Sequence, residues 1–479
     1  MTKLVKNSII YTIGIILPQA VGFLLLPIIT KYLTPEDYGI VSSVGVLGTI
    51  LAIFLTLALD TSIYRLYYDY GSAEKKRDFL GTISISLFVT STIGVFILFI
   101  FHDYVALVFK SIPFFPYYVY IILATYFSIF LIVPKIYYMI IEQATKFFLL
   151  SVGLSLLNTA LMLWFVVGLE RGAEGYLGAR VVANLLLVPL SLFILKRIVN
   201  FKFDLQMLKN GLSFSLPIIP TLLSAWILNL SDRIFIERYF SLEDVGIYSL
   251  GYQIALVVTV IAGGIHTAYF PFFFKLANSD DQEKSKKTLY HTNTIYILIV
   301  LLTVFFISFF SKEIVTLMIH HEYLEAYKII PLIAIGYLFS QTQGILNMYI
   351  QQKKKTKALM YIVLSAAGIN ILLNFLLVPR YGAYGAAYAT IMSFAILAFI
   401  EYQYSKKCYF IPWAWNEILP YFLCLWGIFI VFQLFIDLDV YISLIVKASI
   451  AFAFLYIFSR QYNIINFKDI ITKIGGNKT

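Results

Sequence analysis

Charge is what this 479-residue chain has least of: Asp, Glu, Lys and Arg together make up 13% of it. So little polar surface cannot coat a water-soluble fold of this size. Cysteine is nearly absent too. Cys408 and Cys424 give neither a disulfide framework nor a CxxC or Cys/His metal spacing. The five histidines contain no HExxH arrangement, and neither a phosphate-cradling glycine loop nor a nucleophile elbow is present. Metal, cofactor and enzymatic chemistry are therefore not expected, and any transport would draw on a gradient. Alternating segments of about 10 residues, the mark of a membrane β-barrel, are missing as well.

Apolar residues fill the space, at 60% of the chain. Runs of about 20 residues, each long enough to cross a bilayer, follow one another from end to end. They predict an all-α polytopic membrane protein with spans near 8–30, 38–60, 79–101, 117–141, 147–168, 175–195, 211–236, 245–272, 289–310, 326–350, 358–378, 383–404, 418–436 and 441–459. The first run is too long for a cleaved signal peptide and is expected to stay as a span. The net charge of +10 sits in short connections, which points to membrane orientation rather than to nucleic acid. With the N-terminus inside, the inner segments carry 25 Lys and Arg against seven in the outer loops. Both termini are thus expected in the cytoplasm.

The sequence repeats itself. Lys31-Tyr-Leu-Thr-Pro-Glu-Asp-Tyr-Gly-Ile-Val-Ser42 aligns with Arg238-Tyr-Phe-Ser-Leu-Glu-Asp-Val-Gly-Ile-Tyr-Ser249 at an offset of 207, and Gly172-Ala-Glu-Gly175 with Gly382-Ala-Tyr-Gly385 at 210. Two six-helix lobes are expected, 1–200 and 201–408, with two extra spans and a cytoplasmic tail in 409–479. An even number of spans per half gives both copies the same orientation, related by an axis along the membrane normal. The acidic turns read as helix N-caps, and the glycines of the second pair as close-packing positions.

Charge within a span costs roughly 2.5–3.5 kcal/mol and marks a functional candidate. Arg180 lies in span 6 with Asn184 one turn on, Arg233 in span 7 on one stripe with Trp226 and Asn229, and Lys135 in span 4 after Pro134. Arg65 closes span 2, and Lys447 in span 14 is expected to snorkel toward water. Gathered between the halves, Arg180, Arg233, Lys135 and Arg65, with Asn229 and Asn184, would bind an anionic headgroup; phosphate suits the planar guanidinium fork. Asp60 and Asp232 are the candidates for proton or sodium coupling. Pro18 and Pro27 in span 1, and Pro217 and Pro220 in span 7, are candidate hinges.

The helix ending LSDRIFIERYFSLEDVGIYSL, its weaker copy KYLTPEDYGIVSS and fourteen spans in two halves resemble bacterial polysaccharide repeat-unit flippases. These are the O-antigen and capsule (Wzx-type) transporters of the multidrug/oligosaccharidyl-lipid/polysaccharide exporter superfamily. The resemblance implies a V-shaped pair of lobes in the bacterial inner membrane. These would move undecaprenyl-pyrophosphate-linked oligosaccharide to the outer leaflet by alternating access, with spans 13 and 14 as a groove for the tail. Polymerase and chain-length proteins would be partners. A lipid II flippase differs mainly in cargo, and a multidrug antiporter in having twelve spans and fewer cavity cations. A polymerase or ligase would need a large polar outer loop that this chain lacks.

Overall fold

The computed structural model describes residues 3–436 and 438–462, and every regular element among them is a helix. The tail beyond residue 462 lies outside the described residues. Twelve helices are long and apolar enough to cross a membrane, and Ile10–Leu24 with Leu26–Tyr32, bent by 44°, make a thirteenth span. The 50-residue helix Thr356–Ser405 would run about 75 Å at 1.5 Å per residue, far beyond a hydrocarbon core of about 30 Å. It is broken at Gly382, where φ is 56° and ψ −134°. Its two arms cover the stretches expected for spans 11 and 12.

The spans begin where the sequence supplies caps. Thr34 accepts from the Asp37 N–H while Asp37 reaches back to the Thr34 N–H, a complete capping box ahead of span 2, Pro35–Thr56. Ser241 does the same work for span 8, Leu242–Ala277, by accepting from the Asp244 N–H. Span 2 is interrupted by left-handed Leu57 and Ala58 and resumes as Leu59–Leu66. Span 7 runs from Leu205 to Leu230 and continues as Asp232–Tyr239. Three of the four candidate hinge prolines stand where helices start: Pro27 opens Leu26–Tyr32, Pro217 sits in the short turn Leu216–Ile218 and Pro220 opens Ile219–Leu230. Pro18 lies inside Lys3–Leu24.

The duplicated turns meet each other. A Cβ on Gly39 would stand 1.9 Å from the Leu242 carbonyl oxygen, and one on Gly246 would stand 1.9 Å from the Pro35 carbonyl oxygen. These four positions correspond at the repeat offset of 207, so the contact is reciprocal, as a twofold axis between similar halves requires. The second repeat also has a backbone reason. Gly172 and Gly382 both have positive φ, 52° and 56°, which favours glycine. Gly175 and Gly385, by contrast, do fill close-packing positions: a Cβ would lie 2.9 Å from the Phe165 carbonyl oxygen at Gly175 and 2.4 Å from that of Leu377 at Gly385.

Clasps of matching position fasten the same end. The Ser111 N–H donates to Glu237 Oε1 at 2.6 Å and Arg238 donates to the Leu107 carbonyl at 2.9 Å. In the other direction, the His320 N–H donates to Thr30 Oγ1 at 3.3 Å and the Tyr323 hydroxyl to the Leu33 carbonyl at 2.9 Å. An apolar cluster of Leu26, Leu33 and Tyr38 with Leu250, Ile319 and Tyr323 fills the space between them. The halves are closed against each other at the acidic-turn end.

Lys447 departs from expectation. It does not reach for water. It is 8% exposed, with Nζ 2.8 Å from Glu313 Oε1 and 2.7 Å from the Phe309 carbonyl oxygen. Glu313, itself 2% exposed, also accepts from the Ser443 hydroxyl at 2.6 Å. A fully hydrogen-bonded buried pair removes the need to snorkel, and here it ties span 14, Val440–Tyr462, to the short helix Ser311–Met318 after span 9.

Candidate functional site

Beneath the closed end, the two halves line an open cavity of about 530 Å³. Tyr38 and Thr49 of span 2, Asn229 and Arg233 of span 7, Gln253 of span 8 and Gln341 of span 10 are among its walls. Its one charged wall is Arg233. Span 7 breaks at Ser231, so the guanidinium leaves the helix just where the chain restarts. It is 5% exposed, lies over Tyr252 at 4.1 Å from the ring centroid and near Tyr248 at 5.4 Å, and donates to the Asn229 carbonyl at 2.7 Å. The aromatic faces stabilise the cation by its attraction to the ring quadrupole and leave other guanidinium N–H groups for a ligand. Trp226 Nε1 donates to the Val46 carbonyl at 3.0 Å, bridging the halves along one wall.

Asp232 faces the other way. Fully buried, it accepts from the Tyr248 hydroxyl and from Thr390 Oγ1, the latter at 3.2 Å. The neighbouring Ser231 hydroxyl donates to Asn370 Oδ1 at 3.4 Å, Asn370 Nδ2 donates to the Ser393 hydroxyl at 3.1 Å, and Asn374 Nδ2 donates to the Asn370 carbonyl at 3.0 Å. Asp232, Asn370, Asn374 and Ser393 are all 0% exposed. Two oxygens in this group, Asp232 Oδ1 and Asn374 Oδ1, are buried without a hydrogen-bond partner. One carboxylate oxygen and one amide oxygen left unsatisfied among buried residues suit a proton or a small hard cation.

Arg180 has a different setting. It shares the buried stripe of span 6, Gly172–Ile198, with Ala173, Leu177 and Asn184, opposite the exposed Leu185, Leu186 and Phe193. Its side chain is nonetheless exposed, and it is not among the walls of the cavity that holds Arg233. Asn184 Nδ2 donates to the Arg180 carbonyl at 2.8 Å. At the repeat offset of 210, the counterpart of Arg180 is Thr390, the residue that binds Asp232. One half thus offers a cation where the other buries a carboxylate.

Neither Arg180 and Asn184 nor the remaining candidates are among the walls of this cavity, so the structure does not gather the four cations in one place. Arg65 is exposed and paired with Asp69 at 2.5 Å, so its charge is already matched at the end of span 2. Lys135 is half-buried in span 4, Phe114–Ile140, without a carboxylate partner among the described residues. Asp60 sits in the first turn of Leu59–Leu66, where backbone N–H groups favour a carboxylate. The sequence reading did not pick out Tyr252, Thr390 or the Asn370–Asn374 pair. Asn370 and Asn374 were visible in principle as two amides at i and i+4 in an apolar run.

The family model described as "Polysaccharide biosynthesis protein" matches residues 4–277. The chain belongs to the polysaccharide biosynthesis protein family. The model "MatE" matches residues 217–376 within it. An uncharacterized membrane protein of Haemophilus influenzae is 29% identical over 57% of this chain. The chain spans only 66% of that relative's length. A putative O-antigen transporter of Shigella flexneri is 21% identical over 85% of the chain and 99% of its own length. Among solved structures, the lipid II flippase MurJ in an inward closed conformation superposes with a TM-score of 0.72 at 16% identity, over 95% of this chain and 99% of that one. This family member therefore shares its fold with MurJ and is a multi-pass membrane protein.

Proposed function

We propose that this protein is a flippase for undecaprenyl-pyrophosphate-linked oligosaccharide repeat units, moving them from the cytoplasmic to the outer leaflet of a bacterial inner membrane for surface polysaccharide assembly. The observation that carries the reading is Arg233, held over the Tyr252 ring in a cavity between two similar halves. A guanidinium there would take the pyrophosphate bidentately, while Thr49, Gln253 and Gln341 offer hydrogen bonds to sugar hydroxyls. The same charge repels the organic cations of a multidrug exporter. An apolar groove of about 410 Å³, with Leu301, Phe339, Phe399, Trp415 and Phe422 among its walls, runs between span 13 and the second half and suits a polyprenyl tail. The relatives' names add support.

The charge bias of the connections places the acidic-turn end outside. The clasps there then form an outer gate, closed in this structure, and cargo enters from the inner leaflet. Opening that gate would separate Gly39 from Leu242 and release the Ser111–Glu237 and Tyr323–Leu33 bonds. Neighbouring assembly enzymes, a polymerase and chain-length proteins, would take the cargo on the far side. Cells lacking the gene should accumulate lipid-linked repeat units that face the cytoplasm and resist a glycosidase added outside spheroplasts. Accumulation on the outer face would point to a polymerase or ligase and sink the reading.

Asp232 is proposed as the coupling group for a proton or sodium ion, with Thr390 and Asn374 completing its surroundings. Because Tyr248 touches both Asp232 and the Arg233 guanidinium, a change of charge at Asp232 would be felt at the headgroup site. Asp232→Asn should keep protein level and cargo binding but remove the response of transport to an imposed proton or sodium gradient in vesicles. A variant that still follows the gradient as the wild type does would remove Asp232 from this role.

A further inference from the structure

The turn between the helix Ser311–Met318 and span 10, Ala326–Gln352, carries three consecutive residues with ligating side chains, His320, His321 and Glu322. One ligand atom from each lies within 4.8 Å of the other two. The imidazole rings are 4.1 Å apart, and His320 Nδ1 stands 3.9 Å from Glu322 Oε2. None of the three has a part in the cavity or in the Asp232 cluster.

We propose that His320, His321 and Glu322 form a site for a borderline divalent transition-metal ion of the zinc class. Four features support it. First, the donor set is two imidazoles and a carboxylate, the set used by zinc sites that keep one open position, and imidazole favours zinc, copper or nickel over magnesium or calcium. Second, His320 Nδ1 is enclosed with no hydrogen-bond partner, so a ring nitrogen that water cannot reach is left with an unused lone pair or proton. Third, the turn is fixed at both edges: Ile319 is 8% exposed and Tyr323 is 0% exposed, and the backbone N–H of His320 is bonded to Thr30. Fourth, His321 and Glu322 are exposed and free to rotate. Tetrahedral ligands about 2.0–2.1 Å from zinc lie about 3.4 Å from one another, so closing the site needs side-chain rotation of about 1 Å and no backbone movement.

Position gives the site a consequence. The same turn fastens the second half to Thr30 and Leu33 of the first, so a bound ion would stiffen the clasp at the closed end.

The test uses the full-length protein in detergent, purified on a tag without histidine, and titrates it with Zn²⁺ by calorimetry. One Zn²⁺ per chain is expected, unaffected by a large excess of Mg²⁺. His320→Ala and His321→Ala should each weaken binding by at least the roughly 10–100-fold that loss of an outer-shell partner costs. His102→Ala, at a histidine elsewhere, should leave it unchanged. Glu322→Gln keeps shape and polarity and should also weaken binding, which guards against a folding defect in the histidine variants. Co²⁺ in the wild type should give the intense visible bands of a tetrahedral site. Equal Zn²⁺ binding by wild type and by the His320→Ala/His321→Ala double variant, or displacement by Mg²⁺, would overturn the assignment.

Discussion

Cells carrying Arg233→Ala in place of the wild-type protein should lose most of their surface polysaccharide while keeping normal amounts of the membrane protein. Charge-assisted hydrogen bonds contribute about 1.5–3 kcal/mol each, and two such bonds to a pyrophosphate correspond to a loss of affinity of roughly 100-fold or more. Arg233→Glu should be worse, because repulsion replaces attraction. Arg233→Lys should recover only part of the function, since a point charge cannot form the planar pair of bonds or lie over Tyr252 in the same way. Arg180→Ala should show a smaller defect in the same direction, because that side chain is an exposed second cation rather than a member of the Tyr252 stack. Immunoblotting alongside polysaccharide gels reads both quantities. Normal polysaccharide in Arg233→Ala cells would remove the cation from the cargo site.

Gly39→Ala should hold the gate open. An added Cβ would lie 1.9 Å from the Leu242 carbonyl oxygen, well inside any van der Waals contact, so spans 2 and 8 must move apart. Overpacking of this kind costs about 1–3 kcal/mol, and about 2 kcal/mol is enough to change a two-state ratio roughly 30-fold. Since the contact is reciprocal, Gly246→Ala should have the same effect. A reporter cysteine at Ser42, on the cavity wall, in a protein whose free Cys408 and Cys424 are replaced by serine, should react slowly with a membrane-impermeant maleimide in intact spheroplasts. It should react many times faster in either glycine variant, and export should fall. Slow labelling with normal export in a well-expressed Gly39→Ala protein would mean that the acidic-turn contact is not a gate.

Much of this architecture was legible from the residues because bilayer and repeat impose strong patterns. Apolar run length sets the spans, and the matching acidic turns at an offset of 207 are the positions that touch reciprocally through Gly39 and Gly246. What failed depended on pairing across the chain. Lys447 looked like a snorkelling cation because its partner Glu313 is 134 residues away in sequence, on a short helix no hydropathy run announces. Arg65 closes span 2 as expected, but its charge is already matched: the helix ends at Leu66, and the short turn Tyr67–Asp69 brings Asp69 back to it. That i,i+4 spacing could have been read directly. Arg233 was found because charge in an apolar run is conspicuous. Its Tyr252 platform was not, since an aromatic on an apolar helix is ordinary until its neighbour is known.

The central claim is that Arg233 holds a pyrophosphate while the lobes carry it across. The most direct measurement is flipping in protein-containing vesicles, using a fluorescent oligosaccharide joined to a polyprenyl chain either through pyrophosphate or through a neutral ether. Wild-type protein should move the pyrophosphate lipid and not the neutral one, and Arg233→Ala should move neither. Equal transport of the two lipids by the wild type, or undiminished transport of the pyrophosphate lipid by Arg233→Ala, would contradict the account.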